Sequence, residues 1–188
     1  MANARFYNDD GYGQIEPNNV AFIRTGMIEA QCAPNAAFVT ALPLENGMLV
    51  AIDKANGEID LPDASEVRPF GLVYTAEKIY DRFAPGLKNF YMLAADDGFY
   101  PRVGYIGVGD LFTTNCVAAD AATYTTEADL TAALDAVKTT PLYGTYTTDL
   151  GAIAISTQQA ATGPVLTVVK KATMPDGQTA VQFLVKKI

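Results

Sequence analysis

The groups in this chain best suited to chemistry are carboxylates, tyrosines and two thiols. Asp9/Asp10 and Asp96/Asp97 are adjacent carboxylate pairs, the raw material of a glycosidase or a cation site. Side chains of neighbouring residues on an extended chain diverge, so neither pair converges on a substrate unaided, and turn and solvation roles are expected. The segment 53–60 has a calcium-loop flavour. Aligning Gly57 with the obligatory sixth position, however, puts Ile52 at position one and Lys54 at position three, where oxygen ligands are required. A hairpin turn accounts for Asn56-Gly57 instead. The run Gly104-Tyr105-Ile106-Gly107-Val108-Gly109-Asp110 has three glycines in an order other than GxGxxG, with no helix expected after it to receive a phosphate. It reads as a strand bending into a turn. Cys32 and Cys116 stand in neither a CxxC nor a metal-ligand spacing, and two buried thiols are expected. Lys78 and the tyrosines would need strongly shifted pKa values to act as acids or bases, which nothing in the sequence indicates.

The sharpest exclusion is histidine. The 188 residues include no His and no Trp. Imidazole acid/base catalysis, Ser-His-Asp and Cys-His pairs and imidazole metal sites are therefore excluded. The expectation is a protein that is not an enzyme and takes no cofactor. A net charge of −8 disfavours a sequence-independent grip on nucleic acid or on an anionic membrane. The sign is uneven: residues 164–188 carry +3 and residues 1–163 carry −11. The Lys170/Lys171 and Lys186/Lys187 pairs are read as solubilising groups that protect strand ends. The first ten residues lack the apolar core of a signal peptide, and no later run is long and apolar enough to span a bilayer, so synthesis and retention in a cytoplasm are expected.

The elements that must position these groups are mostly strands. With 49% apolar and 18% charged residues the chain is too hydrophobic for wholesale disorder. Residues 1–19 show neither strand alternation nor helical periodicity and read as an extended arm, whose Arg5, Phe6, Tyr7 and Tyr12 are the candidate partner-binding residues. Residues 20–188 form one β-rich domain. Short β-type runs are predicted at 20–24, 37–40, 48–52, 70–74, 90–93, 103–106 and 111–113, with Asn46-Gly47 and Asn56-Gly57 as hairpin signals. Residues 75–81 offer at most a helical turn before Ala84-Pro85-Gly86. One helix is predicted at about 126–138: Thr126 caps it, Glu127 and Asp129 suit the first-turn dipole, and Leu130, Leu134 and Val137 share a face. Strands at 142–146 and 152–155 precede a terminal hairpin at about 164–188, turned by Met174-Pro175-Asp176-Gly177, with Val181, Phe183 and Val185 on one face. The fold class expected is mainly β, a compact β-barrel or β-sandwich with one α-helix and a C-terminal β-hairpin.

Residues 46–53 (Asn46-Gly47-Met48-Leu49-Val50-Ala51-Ile52-Asp53), Gly57-Glu58-Ile59, Arg68-Pro69-Phe70-Gly71-Leu72-Val73-Tyr74 and Val108-Gly109-Asp110-Leu111-Phe112-Thr113-Thr114 follow one another as glycine-punctuated strands. This order, over about residues 40–116, resembles small β-rich decoration and auxiliary head proteins of tailed bacteriophages. The resemblance implies a compact β fold without a reactive site and an extended N-terminal segment that ties the protein to the capsid lattice. The added helix and terminal hairpin depart from a minimal decoration domain and leave a head-fibre base or tail component open as the location. The expected function is that of a virion structural protein, a capsid decoration, cement or auxiliary head protein made in the host cytoplasm. It would act as a homo-oligomer, with the major capsid protein or copies of itself as partner, and with neither nucleic acid nor membrane. Two other classes stand beside it. A carbohydrate-binding module would place several Tyr or Phe side chains on one exposed face, and a hydrolase would bring two carboxylates together in a pocket.

Overall fold

The computed structural model describes residues 12–76, 92–95, 99–119 and 123–188. In chain order the elements are β1 (Ile15–Asn19), α1 (Ala21–Thr25), β2 (Ile28–Glu29), β3 (Ala33–Pro34), β4 (Leu49–Asp53), β5 (Glu58–Asp60), β6 (Phe70–Val73), β7 (Val103–Tyr105), β8 (Leu111–Thr114), β9 (Val117–Ala119), α2 (Glu127–Asp135), β10 (Tyr143–Thr145), β11 (Ile153–Ser156), β12 (Val165–Thr173) and β13 (Thr179–Lys187). They form a seven-stranded sheet, β1-β8-β13-β12-β10-β11-β9, and a six-stranded sheet, β2-β7-β6-β4-β5-β3. Both are mixed, because β9 runs parallel to β11 and β3 parallel to β5. Neither closes on itself among the described residues, so of the two expected architectures the molecule is the sandwich-like one.

One apolar cluster lies between the sheets. Leu49, Phe70 and Leu72 from the smaller sheet meet Phe112, Ile153, Leu166, Val181 and Phe183 from the larger, and α2 adds Leu130 and Leu134. A second cluster covers the other face of the smaller sheet, where Val50, Ile52, Val73 and Val103 pack with Phe38, Leu44, Met48 and Met92. Strand β6 and residues 49–52 of β4 are consequently buried on both faces, which explains why they read as unbroken apolar runs.

The predicted helix forms over a slightly shorter span. Thr126 and Asp129 make a reciprocal capping box, and Leu130 and Leu134 face inward. Beyond Asp135 the chain tightens into turns, with the Thr139 and Thr140 N–H groups both donating to Ala136 O. The Lys171–Asp135 ion pair, at 2.6 Å, ties this helix end to β12. The terminal hairpin spans β12 and β13, with Val181, Phe183 and Val185 all buried and Gly177 at φ +96°. Its register slips at Val165/Leu166 and again at Val168/Lys170, two bulges that turn Val169 and the lysines outward.

Three local expectations are corrected. The run predicted as a strand at 20–24 instead forms α1 over Ala21–Thr25, with Val20 extended as its N-cap. Asp110 Oδ1 accepts the Ala21 N–H at 2.7 Å, Gly26 ends the helix at φ +72°, and Phe22 comes to lie against Gly104, where an added Cβ would sit 2.4 Å from its ring. Tertiary contacts override the β-type composition of five residues. Residues 37–40 make a single bridge, Val39 to Leu42, around a tight turn. Asn46-Gly47 is a buried turn leading into β4 rather than a hairpin apex, whereas Asn56-Gly57 does close the β4–β5 hairpin. Residues 77–81 of the suggested helical turn, and Phe90 and Tyr91, lie outside the described residues.

Gly47 and Gly57 both have positive φ, +88° and +71°, but their surroundings differ. A Cβ at Gly57 would meet open space, while one at Gly47 would sit 1.9 Å from Thr114 Oγ1. Urea unfolding of Gly57→Ala is expected to show a loss of about 1 kcal/mol, the backbone term alone. Gly47→Ala is expected to lose on the order of 3–4 kcal/mol because overpacking adds to that strain. Equal losses for the two variants would contradict the close approach.

Candidate functional site

Tyr12, Gly13 and Gln14 lead from the arm into β1, and buried side chains of the body hold their main chain. The Gly13 N–H donates to Glu45 Oε1 at 2.9 Å, and the Gln14 N–H donates to Asn115 Oδ1 at 2.7 Å. Asn115 Nδ2 donates both to Tyr12 O at 3.0 Å and to Gln178 Oε1 at 2.9 Å. The Thr114 hydroxyl donates to Gln14 O at 2.7 Å and accepts the Cys116 N–H at 3.0 Å. Glu45, Thr114 and Asn115 are each at most 1% exposed. A polar group withdrawn from water to this degree is costly unless bonded, so the arm's backbone and the body's side chains satisfy one another. Gly13 is needed sterically as well: a Cβ there would sit 2.6 Å from Asn46 O.

From this anchor β1 runs antiparallel to β8, with Ile15 opposite Thr114 and Glu16 opposite Thr113. The Gln14 amide reaches Asp176 in the terminal hairpin turn at 2.8 Å, and Asn18 Oδ1 accepts from the Thr113 hydroxyl and from Gln182. The described end of the arm is thus a strand of the larger sheet. Tyr12 is 7% exposed, its ring taken up by its own chain. Arg5, Phe6 and Tyr7, the other three candidate partner-binding residues, lie outside the described residues. The sequence alone singles out none of Glu45, Thr114, Asn115 or Gln178 for a role. No local pattern marks them, because their partners are 32 to 103 residues away.

The chemically suggestive groups resolve into structural roles or fall outside the described residues, as Asp9, Asp10, Lys78, Asp96 and Asp97 do. Asp53 Oδ1 accepts the N–H groups of Ala55 and Asn56 within the hairpin turn. Asp110 is buried and bridges Ala21 and Gly107 N–H groups. Both cysteines are buried. Among the described residues no three His, Cys, Asp or Glu side chains cluster as metal ligands, and no helix is long and apolar enough to cross a membrane.

One surface group of titratable side chains remains, around a 320 Å³ pocket lined by Glu29, Gln31, Cys32, Lys54 and Gly57. Burial pushes Glu29 up, but N–H donors from Gln31 and Ala30 and the Lys54 ammonium 3.4 Å away outweigh it and hold the carboxyl below its usual range. Contacts with Tyr105 and Glu29 raise Lys54, and burial followed by the Glu29 charge raises Cys32. The shifts favour the protonated forms of Lys54 and Cys32 and the carboxylate form of Glu29. Elsewhere Arg68 binds Glu66 at 2.7 Å, Asp60 at 3.0 Å and Asp53 at 3.5 Å, stitching the β4–β5 hairpin to the 61–69 segment.

No family model, curated protein or solved structure matches this chain.

Two measurements test these assignments. Asn115→Asp keeps the shape and the acceptor but loses both amide donors. It is expected to destabilise the fold by about 2 kcal/mol and to speed amide exchange at Gly13 and Gln14 at least tenfold relative to core strands. Unchanged exchange there would remove Asn115 from the anchor. The hydrogen bonds from Arg68 lower Glu66 from 4.5 to about 2. A depressed acid contributes its full stability above its unfolded value and loses it as pH falls toward the folded one. Glu66→Gln is therefore expected to cost on the order of 1–2 kcal/mol at pH 7, with the gap to the parent protein closing between about pH 4.5 and pH 2 in urea titrations.

Proposed function

We propose that this protein is a virion structural component, a capsid decoration, cement or auxiliary head protein that binds the major capsid protein, copies of itself, or both, and works by adhesion rather than turnover. The observation that carries this reading is the anchor. The body holds residues 12–14 by main-chain hydrogen bonds to buried side chains, so the segment bearing Arg5, Phe6 and Tyr7 issues from a fixed point at the margin of the larger sheet. A segment rooted in this way delivers aromatic and cationic groups to a neighbour without loosening the body that carries it.

Two further features support the same reading. The shifted groups around Glu29 and Lys54 are poorly suited to acid, base or nucleophile roles. Among the described residues six aromatic rings pack in pairs, Phe22 on Tyr74, Phe70 on Tyr146 and Phe112 on Phe183, at centroid distances of 4.9 to 5.7 Å. Tyr100 is the aromatic member of the exposed large apolar side chains among the described residues, so the several-ring platform of a carbohydrate module finds no support there.

Removing residues 2–19 would delete β1 together with the arm, so the discriminating truncation is 2–11. That variant is expected to keep the parent melting temperature within a few degrees. It is also expected to lose at least tenfold in affinity when cosedimented with capsids built from the major capsid protein of the same genome. Undiminished cosedimentation would sink the arm's assigned role, and no cosedimentation by the full chain would sink the virion reading.

A further inference from the structure

Three Asn-Gly or Asp-Gly pairs fall among the described residues, at 46–47, 56–57 and 176–177. Glycine after Asn matters chemically as well as conformationally. Without a Cβ its amide nitrogen is little hindered, and it can attack Cγ of the preceding side chain to close a five-membered imide. Two features of a fold prevent this: a hydrogen bond that occupies the nitrogen, and packing that stops the main chain from turning toward the side chain.

At 46–47 both are present. The Gly47 N–H donates to Val73 O at 2.8 Å, Asn46 is 2% exposed with Nδ2 donating to Thr75 O at 2.8 Å, and Gly47 closes on Thr114 without room to rotate. At 176–177 the Gly177 N–H donates to Met174 O at 2.9 Å, and Asp176 accepts from Gln14 and Gln178. At 56–57 neither restraint operates. The Gly57 N–H donates to no group among the described residues, a Cβ built on Gly57 would meet open space, Asn56 is exposed, and Gly57 lines the surface pocket beside Glu29 and Lys54. What holds Asn56 is Asp53, whose Oδ1 accepts the Asn56 N–H and whose Oδ2 accepts its Nδ2, both at 3.0 Å. Exposed bonds of this kind each slow an opening by about two- to tenfold. The buried turn at 46–47, by contrast, opens only with much of the sheet around it.

We propose that Asn56 is a modification site that converts to isoaspartate or aspartate in the folded protein without an enzyme, while Asn46 is protected. The Gly57 nitrogen gives up its proton and bonds to Asn56 Cγ, the Cγ–Nδ2 bond breaks, and ammonia leaves with that proton. Water then adds to either imide carbonyl and opens the ring to a carboxylate, so that one water is consumed and one ammonium released overall. The product carries one more negative charge beside Asp53 and, as isoaspartate, one more main-chain carbon between β4 and β5. The altered turn also holds β3, because Gly57 O accepts the Ala33 N–H at 2.9 Å.

The inference stands apart from the adhesive reading. Its test is incubation of the folded full chain at pH 8 and 37 °C for several weeks, beside a sample unfolded in guanidinium chloride, followed by tryptic peptide mass spectrometry. Trypsin cuts after Lys54, between the two asparagines, and residues 55–78 contain no other Asn or Gln. A gain of about 1 Da in the Asn56 peptide of the folded sample is expected at least twentyfold faster than at Asn46, with isoaspartate the larger product. In the unfolded sample the two sites are expected to react within about threefold of each other. Asn56→Gln is expected to remove the signal and keep the melting temperature within a few degrees of the parent's. An intact Asn56 in the folded sample while the unfolded one reacts, or reaction at Asn46 that keeps pace with Asn56 in the folded sample, would overturn the assignment. Amide exchange at Ala33 is expected to quicken several-fold in the modified protein, and unchanged exchange there would refute the loosening of β3.

Discussion

The Thr114 hydroxyl occupies a point where three separate stretches of chain must meet. It donates to Gln14 O in the arm, accepts from Cys116 N–H at the start of the β8–β9 turn, and closes on the bare backbone of Gly47 in the turn that launches β4. Because a hydroxyl needs both a donor and an acceptor when it is withdrawn from water, this contact can be made well in one arrangement only. Around it Asn115 and Glu45 complete the hold on the arm, and Asn115 passes the network on to Gln178 beside the hairpin turn. Loss of this junction would expose buried polar groups in the arm and in both sheets together. Residues 12–19 and the sandwich are therefore parts of one cooperative structure.

Polar and apolar burial are divided by position. Between the sheets the contacts are aliphatic and aromatic, and at the margin where the arm enters they are hydrogen bonds. Hydrophobic contact is non-directional and hydrogen bonding is directional, so the hydrogen bonds at the margin fix where β1 sits while the core supplies most of the driving force. The Arg68 network does a similar job at the far side of the smaller sheet, where Glu66, Asp60 and Asp53 hold an irregular segment against the β4–β5 hairpin. Such specification matters for the adhesive role proposed above, because a slipped edge strand would alter the geometry of whatever it presents.

The chemically suggestive groups among the described residues take structural roles. Folding ties Asp53 and Asp110 into turns and caps, and it favours the protonated forms of Lys54 and Cys32 and the carboxylate of Glu29. Asn46 and Tyr74 each bury an oxygen that has no hydrogen-bond partner.

The sequence alone determined whatever rests on local pattern. The capped helix at Thr126, the Pro-Asp-Gly hairpin, the Asn56-Gly57 turn and the doubly buried run 48–52 are legible because capping, positive φ and apolar periodicity involve residues within a few positions of one another. Composition likewise excludes imidazole chemistry outright. Tertiary structure decided the rest. Residues 21–25 became α1 because Asp110 and Gly104, more than eighty positions away, offered an acceptor for the Ala21 N–H and a seat for Phe22, while 15–19, with no alternation and a proline in its middle, became a strand because β8 was there to pair with it. The anchor was illegible for the same reason. It depends on hydrogen bonds between distant segments, and a polar residue in a sequence does not disclose which partner will reach it once water has been excluded.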